Sequence, residues 1–221
     1  MPIDLPSLLA GNELGRLGRG PLPVAVVTME LQRGVMGDLA SFPALRDAAA
    51  AVNLPRHAVS LCDEARAAGI RVVHCTAEFR ADKAGTAANT PLHAAVLRMP
   101  GHLLEGTAAV ELIEGLGPEP DDLVIPRRHG VSPFSGTGLD ATLRNLGVDI
   151  LIVTGVSVNL GVLGLVIEAV NLGYQVVVAA DAVCGVPAEY AELVLAETIS
   201  LVATVASTKE ILRALHTAVA I

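Results

Sequence analysis

The sequence predicts an α/β fold, a three-layer α/β/α sandwich around a six-stranded, mostly parallel sheet. Two observations lead to this prediction. Short apolar runs rich in β-branched residues lack polar alternation, which is typical of strands buried on both faces of a parallel sheet. These runs alternate with helical segments that end at glycine, a typical helix C-cap. Such strand–helix alternation is typical of right-handed βαβ crossovers. With 221 residues, we expect a single domain.

The first half of the chain contains one clear βαβ unit. Residues 24–29, VAVVTM, follow a proline and predict the first strand. Residues 48–68 have helical apolar spacing and end at Gly69, which is a typical helix C-cap. The run IRVVHC at 70–75 follows at once and predicts the second strand.

Two segments lack regular periodicity. Residues 1–22 are rich in Gly and Pro, and we expect an N-terminal arm that lies on the surface or on a neighbouring subunit. The single domain then covers 23–221. Residues 76–122 contain Gly and Pro around short helical pieces such as 107–115, and an excursion of this length predicts a lid or a pocket wall.

Regular alternation returns after this excursion and continues to the end of the chain. The predicted elements are, in order, a strand at 123–126, a helix near 137–146, a strand at 148–155, a helix near 157–172, a strand at 174–181, a helix from about 187, an apolar run at 201–208 and a terminal helical segment. No internal repeat is visible.

Composition excludes several classes of function. The 15 basic and 23 acidic residues give a net charge of −8 without a basic stripe, so nucleic acid is not an expected partner. The apolar runs are shorter than the ~18 residues of a membrane span, so we expect no membrane partner. The three cysteines show no paired spacing and the first residues show no leader pattern, so we expect a reduced, cytoplasmic protein. Aromatic residues make up 2% of the chain, which favours a small polar ligand over stacked bases.

Sheet topology gives the place of the candidate site. In open α/β sheets, ligands bind outside the carboxyl ends of the strands. The residues at those predicted ends are Glu30, 74–76, 127–129, 155–161 and 181–184.

Three segments at these strand ends form an ordered set. They are AVVTMELQ at 25–32, VIPRRHGVSPFSGTGLDATLRNLGV at 124–148 and TGVSVNLGVLGLVIEAVNLGYQVVVAADA at 154–182. In this order and spacing, the set resembles the isochorismatase-like, or cysteine hydrolase, superfamily over roughly 22–210. The resemblance implies a sandwich fold of the predicted kind, a small-molecule substrate and a homo-oligomer.

The resemblance also implies three catalytic positions, and this sequence differs at each. Amidases of the superfamily use an Asp base after strand one, a Lys after strand three and a Cys nucleophile at the start of the helix after strand four. The matching residues here are Glu30, Arg128 and Gly161. Because glycine has no side chain, hydrolysis through an acyl-enzyme is disfavoured. Cys75 and Cys184 lie near strand ends but not at a helix N-terminus, which favours buried, inert thiols.

One branch of the superfamily works without the cysteine. These isochorismatases proper carry a small residue at that position and hydrolyse a vinyl ether, after the strand-one carboxylic acid protonates the enol-ether carbon. By this resemblance Glu30 is the acid/base and Arg128 is an anion clamp. The alternative is a plain structural ion pair between the two, since the planar guanidinium binds carboxylates well and never donates its proton.

The same resemblance implies the substrate-binding positions. Glu78 stands where isochorismatases have a Gln, and an acid there repels a dicarboxylate, which counts against isochorismate itself. The bond between Val156 and Ser157 matches a non-proline cis peptide that presents backbone N–H groups to an oxyanion. His129 is either a proton shuttle in the pocket or a surface-loop histidine.

No metal and no cofactor are expected. His74 and Cys75 are adjacent in a strand and point to opposite faces, which is a poor arrangement for chelation. The metal-binding Asp-x-His motif of the superfamily's nicotinamidases has no clear counterpart in 76–103, where His93 and His102 stand nine residues apart in an irregular stretch.

Two functions stay open at the level of sequence. The first is a hydrolase with a degenerate catalytic triad that acts without a cysteine on a small polar, carboxylate-bearing or enol-ether-like metabolite. The second is a catalytically silent relative that binds a metabolite or serves as an assembly subunit. The apolar helix at 160–170 is either a subunit interface or a helix buried against the sheet. An open, partly polar cavity around Glu30 favours the enzyme.

Overall fold

The computed structural model describes residues 5–10 and 23–219. In this part of the chain, six strands form one sheet with the order β3-β2-β1-β4-β5-β6, and all neighbours are parallel. The strands are β1 Val24–Met29, β2 Arg71–Ala77, β3 Leu123–Arg127, β4 Ile150–Val156, β5 Gln175–Cys184 and β6 Thr204–Ala206. The predicted α/β sandwich with its mostly parallel sheet is confirmed.

Helices cover both faces of this sheet. They are α1 Leu5–Ala10, α2 Arg33–Met36, α3 Pro43–Ala51, α4 Leu54–Ala67, α5 Pro91–Val96, α6 Leu139–Leu146, α7 Leu163–Asn171, α8 Ala188–Leu193 and α9 Thr208–Val219. The core is divided by the sheet into two clusters, one that includes residues of α4 and α9 and one that includes residues of α6 and α7. Alternate residues of β1 enter the two clusters, as the period of two in a strand requires.

Two helical segments differ from the prediction. The helix expected at 48–68 is interrupted, because Asn53 adopts a left-handed conformation with a φ of 52° and α4 begins at the next residue. Pro55 then lies in the first turn of α4, where the missing N–H costs no hydrogen bond. The helix expected near 157–172 begins as a π-helical turn at Val158–Val162 before α7.

Part of the predicted N-terminal arm packs onto the domain itself. Leu9 of α1 is fully buried in the core cluster that also contains Ile211 and Leu215 of α9. Residues 5–10 therefore lie against the terminal helix. The remaining residues of the arm, at 1–4 and 11–22, lie outside the described residues.

The apolar helix α7 is buried against the sheet along one side. Leu165, Val166 and Ala169 are fully buried, whereas Ile167 is 39% exposed. Burial against the sheet therefore accounts for the inner face of this helix. In the described part of the chain, no helix is long and apolar enough to cross a membrane.

A polar network fixes β2 against α4. The His74 ring bonds Thr28 Oγ1 at 2.9 Å through Nδ1 and Asp122 Oδ2 at 3.2 Å through Nε2. Arg66 donates to the same carboxylate at 2.8 Å. Burial lowers the pKa of His74, so the ring is neutral at neutral pH. The adjacent Cys75 enters the cluster on the other side of the sheet, as predicted from strand geometry.

Candidate active site

A cavity of about 180 Å³ opens at the carboxyl ends of the central strands. Its floor includes Glu30 directly after β1, Ala77 at the end of β2, Arg127 at the end of β3 and Ser157 directly after β4. Four strand ends thus meet at one site, as the crevice rule for open α/β sheets predicts. The cavity is smaller than the roughly 300–1,000 Å³ of sites for drug-sized ligands, so it suits a small metabolite.

Glu30 is held at the floor by its backbone. Its φ is 51°, a left-handed conformation that is uncommon for a residue with a side chain, and its N–H donates to Cys75 O at 2.9 Å. Its side chain is 17% exposed. The carboxylate therefore faces the cavity from a fixed position with limited access to water.

The cation in contact with Glu30 belongs to Arg127. Its Nη2 donates to Glu30 Oε1, and its Nε donates to Gly130 O at 3.1 Å. The third nitrogen, Nη1, is buried and has no hydrogen-bond partner among the described residues. A buried guanidinium nitrogen without an acceptor is unfavourable by about 1–3 kcal/mol, so an acceptor oxygen that reached it would be stabilising.

Arg128, which the sequence analysis placed at the catalytic cation position, does not contact Glu30. Its side chain is 53% exposed at the wall of the cavity, and its Nη2 donates to Glu105 at 3.1 Å. The physical reason is strand alternation. Leu123 and Ile125 of β3 pack against the core cluster that includes residues of α6 and α7. Because side chains alternate along a strand, Arg127 lies on the same face of the sheet as these two residues.

Gly161 lines the cavity in the π-helical turn before α7. A Cβ atom added there would lie 2.8 Å from Met29 Cε and 3.2 Å from Val156 O. Met29 is fully buried at the end of β1. Its side chain therefore occupies the space beside residue 161 that a side chain at this position would need.

The cysteines near the strand ends are inert in this structure. Burial raises the pKa of the Cys75 thiol to about 12, and it raises the pKa of the Cys184 thiol to about 12 as well. Since the thiolate is the nucleophile, neither side chain is prepared for nucleophilic attack at neutral pH.

The turn after β4 contains the expected cis peptide bond between Val156 and Ser157. Ser157 lines the cavity, and its hydroxyl donates to Asn159 Oδ1 at 2.8 Å. Val156 is fully buried in the core and does not line the cavity. Glu78 does not line the cavity either, and its carboxylate accepts a hydrogen bond from Thr76 at 3.4 Å.

Three histidines from the irregular segments line the cavity. The rings of His93 and His129 lie 4.8 Å apart, and His129 Nδ1 accepts from Ala87 N at 3.4 Å. His102 bonds Ser41 Oγ at 2.8 Å through Nδ1. Burial lowers the pKa of both His93 and His102, so these two rings are neutral at neutral pH.

His93 and His102 are cavity residues that the sequence pattern does not predict, since their spacing is informative only about metal binding. Their convergence depends on the folding of the excursion between β2 and β3, for which the sequence offers no periodic signal. In the part of the chain that the structure describes, no three His, Cys, Asp or Glu side chains are placed to hold a metal ion.

Comparison with known proteins gives consistent matches. Residues 24–210 match the family model described as the isochorismatase domain. The ureidoacrylate amidohydrolase RutB of Pseudomonas syringae pv. syringae (strain B728a) is 29% identical over 210 residues, which cover 86% of this chain and 84% of the relative.

Solved structures match over a similar span. A cysteine hydrolase from Pseudomonas syringae pv. phaseolicola 1448A has a TM-score of 0.75 at 26% identity, with coverage of 90% of this chain and 95% of that chain. An isochorismatase family protein from Desulfovibrio vulgaris subsp. vulgaris str. Hildenborough has a TM-score of 0.75 at 27% identity, with coverage of 88% and 98%.

Proposed function

Because the chain belongs to the isochorismatase family of hydrolases, we propose that it hydrolyses a small carboxylate-bearing or enol-ether-like metabolite without a cysteine nucleophile. The observation that carries this proposal is the open cavity at the strand ends. It contains a fixed carboxylate, Glu30, and a buried guanidinium with one unsatisfied nitrogen, Arg127. A protein that only filled the site structurally has no reason to keep such a cavity open.

Glu30 is the acid/base of the proposed reaction. Its carboxylate pairs with Arg127 and faces the cavity, which suits a general base. A water molecule bonds through its oxygen to the electrophilic carbon of the substrate, while one water proton moves to Glu30. That proton then passes to the leaving group as its bond to carbon breaks. No covalent bond to the protein is formed, so the absence of a side chain at Gly161 is no obstacle.

An enol-ether substrate requires the reverse order of proton transfers. Glu30 first delivers a proton to the substrate carbon, and water then adds to the oxocarbenium ion while one water proton returns to Glu30. The C–O bond of the resulting hemiketal then breaks, the leaving alcohol takes up that proton, and a carbonyl compound remains. In the structure Arg127 donates to Glu30 Oε1, so this route requires the guanidinium to shift from Glu30 to the substrate. The water-activation route needs no such shift and is better supported by the geometry.

We assign the anion-clamp role to Arg127 rather than to Arg128. Arg127 lies beside Glu30, and its Nη1 has no hydrogen-bond acceptor among the described residues. Arg128 lies at the edge of the cavity and donates a hydrogen bond to Glu105. A guanidinium with free donors is well suited to a carboxylate oxygen. The name of the relative RutB is in keeping with this assignment, since ureidoacrylate is itself a small carboxylate.

The second candidate is a silent family member that binds a metabolite or serves as an assembly subunit. One observation favours it: Met29 fills the space beside Gly161, so that the usual nucleophile could not be accommodated without repacking. Under this alternative the cavity binds a ligand but does not turn it over.

A hydrolysis screen distinguishes the two candidates. The purified protein and a Cys75→Ala variant are incubated with small carboxylate-bearing amides and ureides, ureidoacrylate included, and with enol ethers, and products are followed by NMR. The proposal predicts that at least one compound is hydrolysed and that Cys75→Ala retains this turnover. Binding of these compounds without hydrolysis favours the silent member, and loss of turnover in Cys75→Ala contradicts the Cys-independent mechanism.

A further inference from the structure

The cavity has a polar floor and an apolar wall. Ten of its nineteen lining residues are apolar. The wall comes from two segments that the strands do not supply, the region of α2 and α3 and the excursion between β2 and β3. Its main side chains are Val35, Phe42, Leu45, Phe79, Val96 and Leu103. The low aromatic content of the chain predicts a small polar ligand, and the composition of this wall changes that expectation.

The wall is firmly held in place. Val35, Phe79 and Val96 are each 6% exposed, and Leu103 is 3% exposed. These four residues belong to the core cluster on the α4 side of the sheet, so the wall is an extension of the hydrophobic core. Its shape is therefore set by packing and does not depend on a ligand.

The charged pair of the lining lies at the strand ends, and His93, His102, Arg128 and His129 add polar groups to the rest of it. Glu30 and Arg127 form their ion pair at the floor, and Ser157 follows β4 beside them. The ring of His102 also lines the cavity and contacts Phe42 and Phe79 at centroid distances of 6.0 and 5.9 Å. Water against the apolar wall finds few hydrogen-bond partners, so a ligand with an apolar group is favoured there.

We infer that the substrate is an amphipathic carboxylate, with its reacting end at the floor and a branched alkyl group or a single ring against the wall. The orientation rests on the proposed function, because that proposal puts the carboxylate-binding guanidinium at the floor. The volume of about 180 Å³ limits the apolar group to this size.

Calorimetric titration of the 221-residue chain tests the inference with unreactive probes. Acetate, 3-methylbutanoate and phenylacetate offer the same carboxylate with increasing apolar groups, and glutarate matches 3-methylbutanoate in carbon number but has a second charge. Each buried methylene is expected to tighten binding about fourfold. The three extra carbons of 3-methylbutanoate should therefore lower its Kd about 60-fold relative to acetate, and glutarate should show no such gain.

A variant of the apolar wall and a matched control variant test whether this wall causes the preference for apolar probes. Leu45 and Leu212 are both half-buried leucines packed against the same core cluster, but only Leu45 lines this cavity. Leu45→Ala should weaken 3-methylbutanoate binding about tenfold and leave acetate unchanged. Leu212→Ala should change neither.

The outcomes separate this inference from the proposed function. Equal affinities for acetate and the larger probes overturn the apolar wall as a specificity element and leave the hydrolase proposal standing. Preference for apolar carboxylates, sensitive to Leu45→Ala, supports the inference even if the hydrolysis screen finds no turnover. Failure of every carboxylate to bind overturns this inference and the anion-clamp role of Arg127, whereas the hydrolase proposal is decided by the hydrolysis screen. An equal loss in Leu45→Ala and Leu212→Ala overturns the assignment to this wall.

Discussion

Replacing Gly161 by alanine tests whether Met29 occupies the space that a side chain at position 161 needs. The new Cβ would lie 2.8 Å from Met29 Cε, whereas carbon atoms pack best at about 3.5–4.0 Å. The methionine must therefore move by about 1 Å inside a fully buried site. Such overpacking costs about 1–3 kcal/mol, and replacing glycine in a helical segment returns up to about 1 kcal/mol. Gly161→Ala should thus destabilise the wild type by about 1 kcal/mol.

Removing the methionine tip should reduce this cost. In a Met29→Val background there is no Cε and only the 3.2 Å approach to Val156 O remains tight, so Gly161→Ala should cost less than in the wild type. Urea denaturation of the wild type, both single variants and the double variant gives the interaction free energy of the pair. We expect about 1–3 kcal/mol, with m values unchanged.

Gly164 provides the matched control in the neighbouring helix α7. A Cβ there would meet Ser132 Cβ at 3.4 Å, an ordinary contact, and no atom of Met29. Gly164→Ala should therefore have the same effect in both backgrounds. The reasoning is refuted if Gly161→Ala shows an interaction energy with Met29→Val below about 0.5 kcal/mol, because Met29 would then not fill the cysteine's space.

Two further predictions concern charge. Arg127→Ala should lower the free energy of unfolding in urea by about 3 kcal/mol, because it leaves Glu30 without its buried partner. Arg128→Ala should lower it by less than about 1 kcal/mol, because the ion pair of Arg128 is exposed. Equal losses in the two variants would contradict the assignment of Arg127 as the partner of Glu30. Acidification from pH 7.5 to 5.5 should lower the Tm, because three buried histidines have lowered pKa values in the folded protein whereas the unfolded chain binds protons below about pH 6.5. The stabilising contribution of these histidines is therefore complete above about pH 6.5 and is lost as the pH falls toward their pKa values in the folded protein. A Tm that stays constant or rises on acidification would contradict this prediction. These histidines are His74, His93 and His102.

The strands at the centre of the sheet were predictable because their signal is local. The run at 24–29 is continuous, apolar and β-branched, and β1 has these bounds in the structure. The cis bond before Ser157 was predictable from the resemblance of its turn to a known family. The break at Asn53 was missed because the apolar spacing continues across it.

The content of the site was less predictable, because it depends on contacts between distant segments. Arg127 was passed over for its neighbour, although the period of two along β3 would have turned residue 127 inward. The match between Met29 and Gly161 involves residues 132 positions apart, and no single-sequence pattern links them. The apolar wall likewise comes from segments without periodicity, whose packing only the folded chain reveals.

The most direct measurement of the central claim is turnover by Glu30→Gln beside the wild type, on the best substrate from the hydrolysis screen. Glutamine keeps the size and one acceptor oxygen but cannot exchange the proton. The account predicts that kcat falls at least about 100-fold, in the range expected for a lost general acid/base, while circular dichroism shows an intact fold. Turnover that survives at the wild-type rate would contradict the role of Glu30 and with it the proposed mechanism.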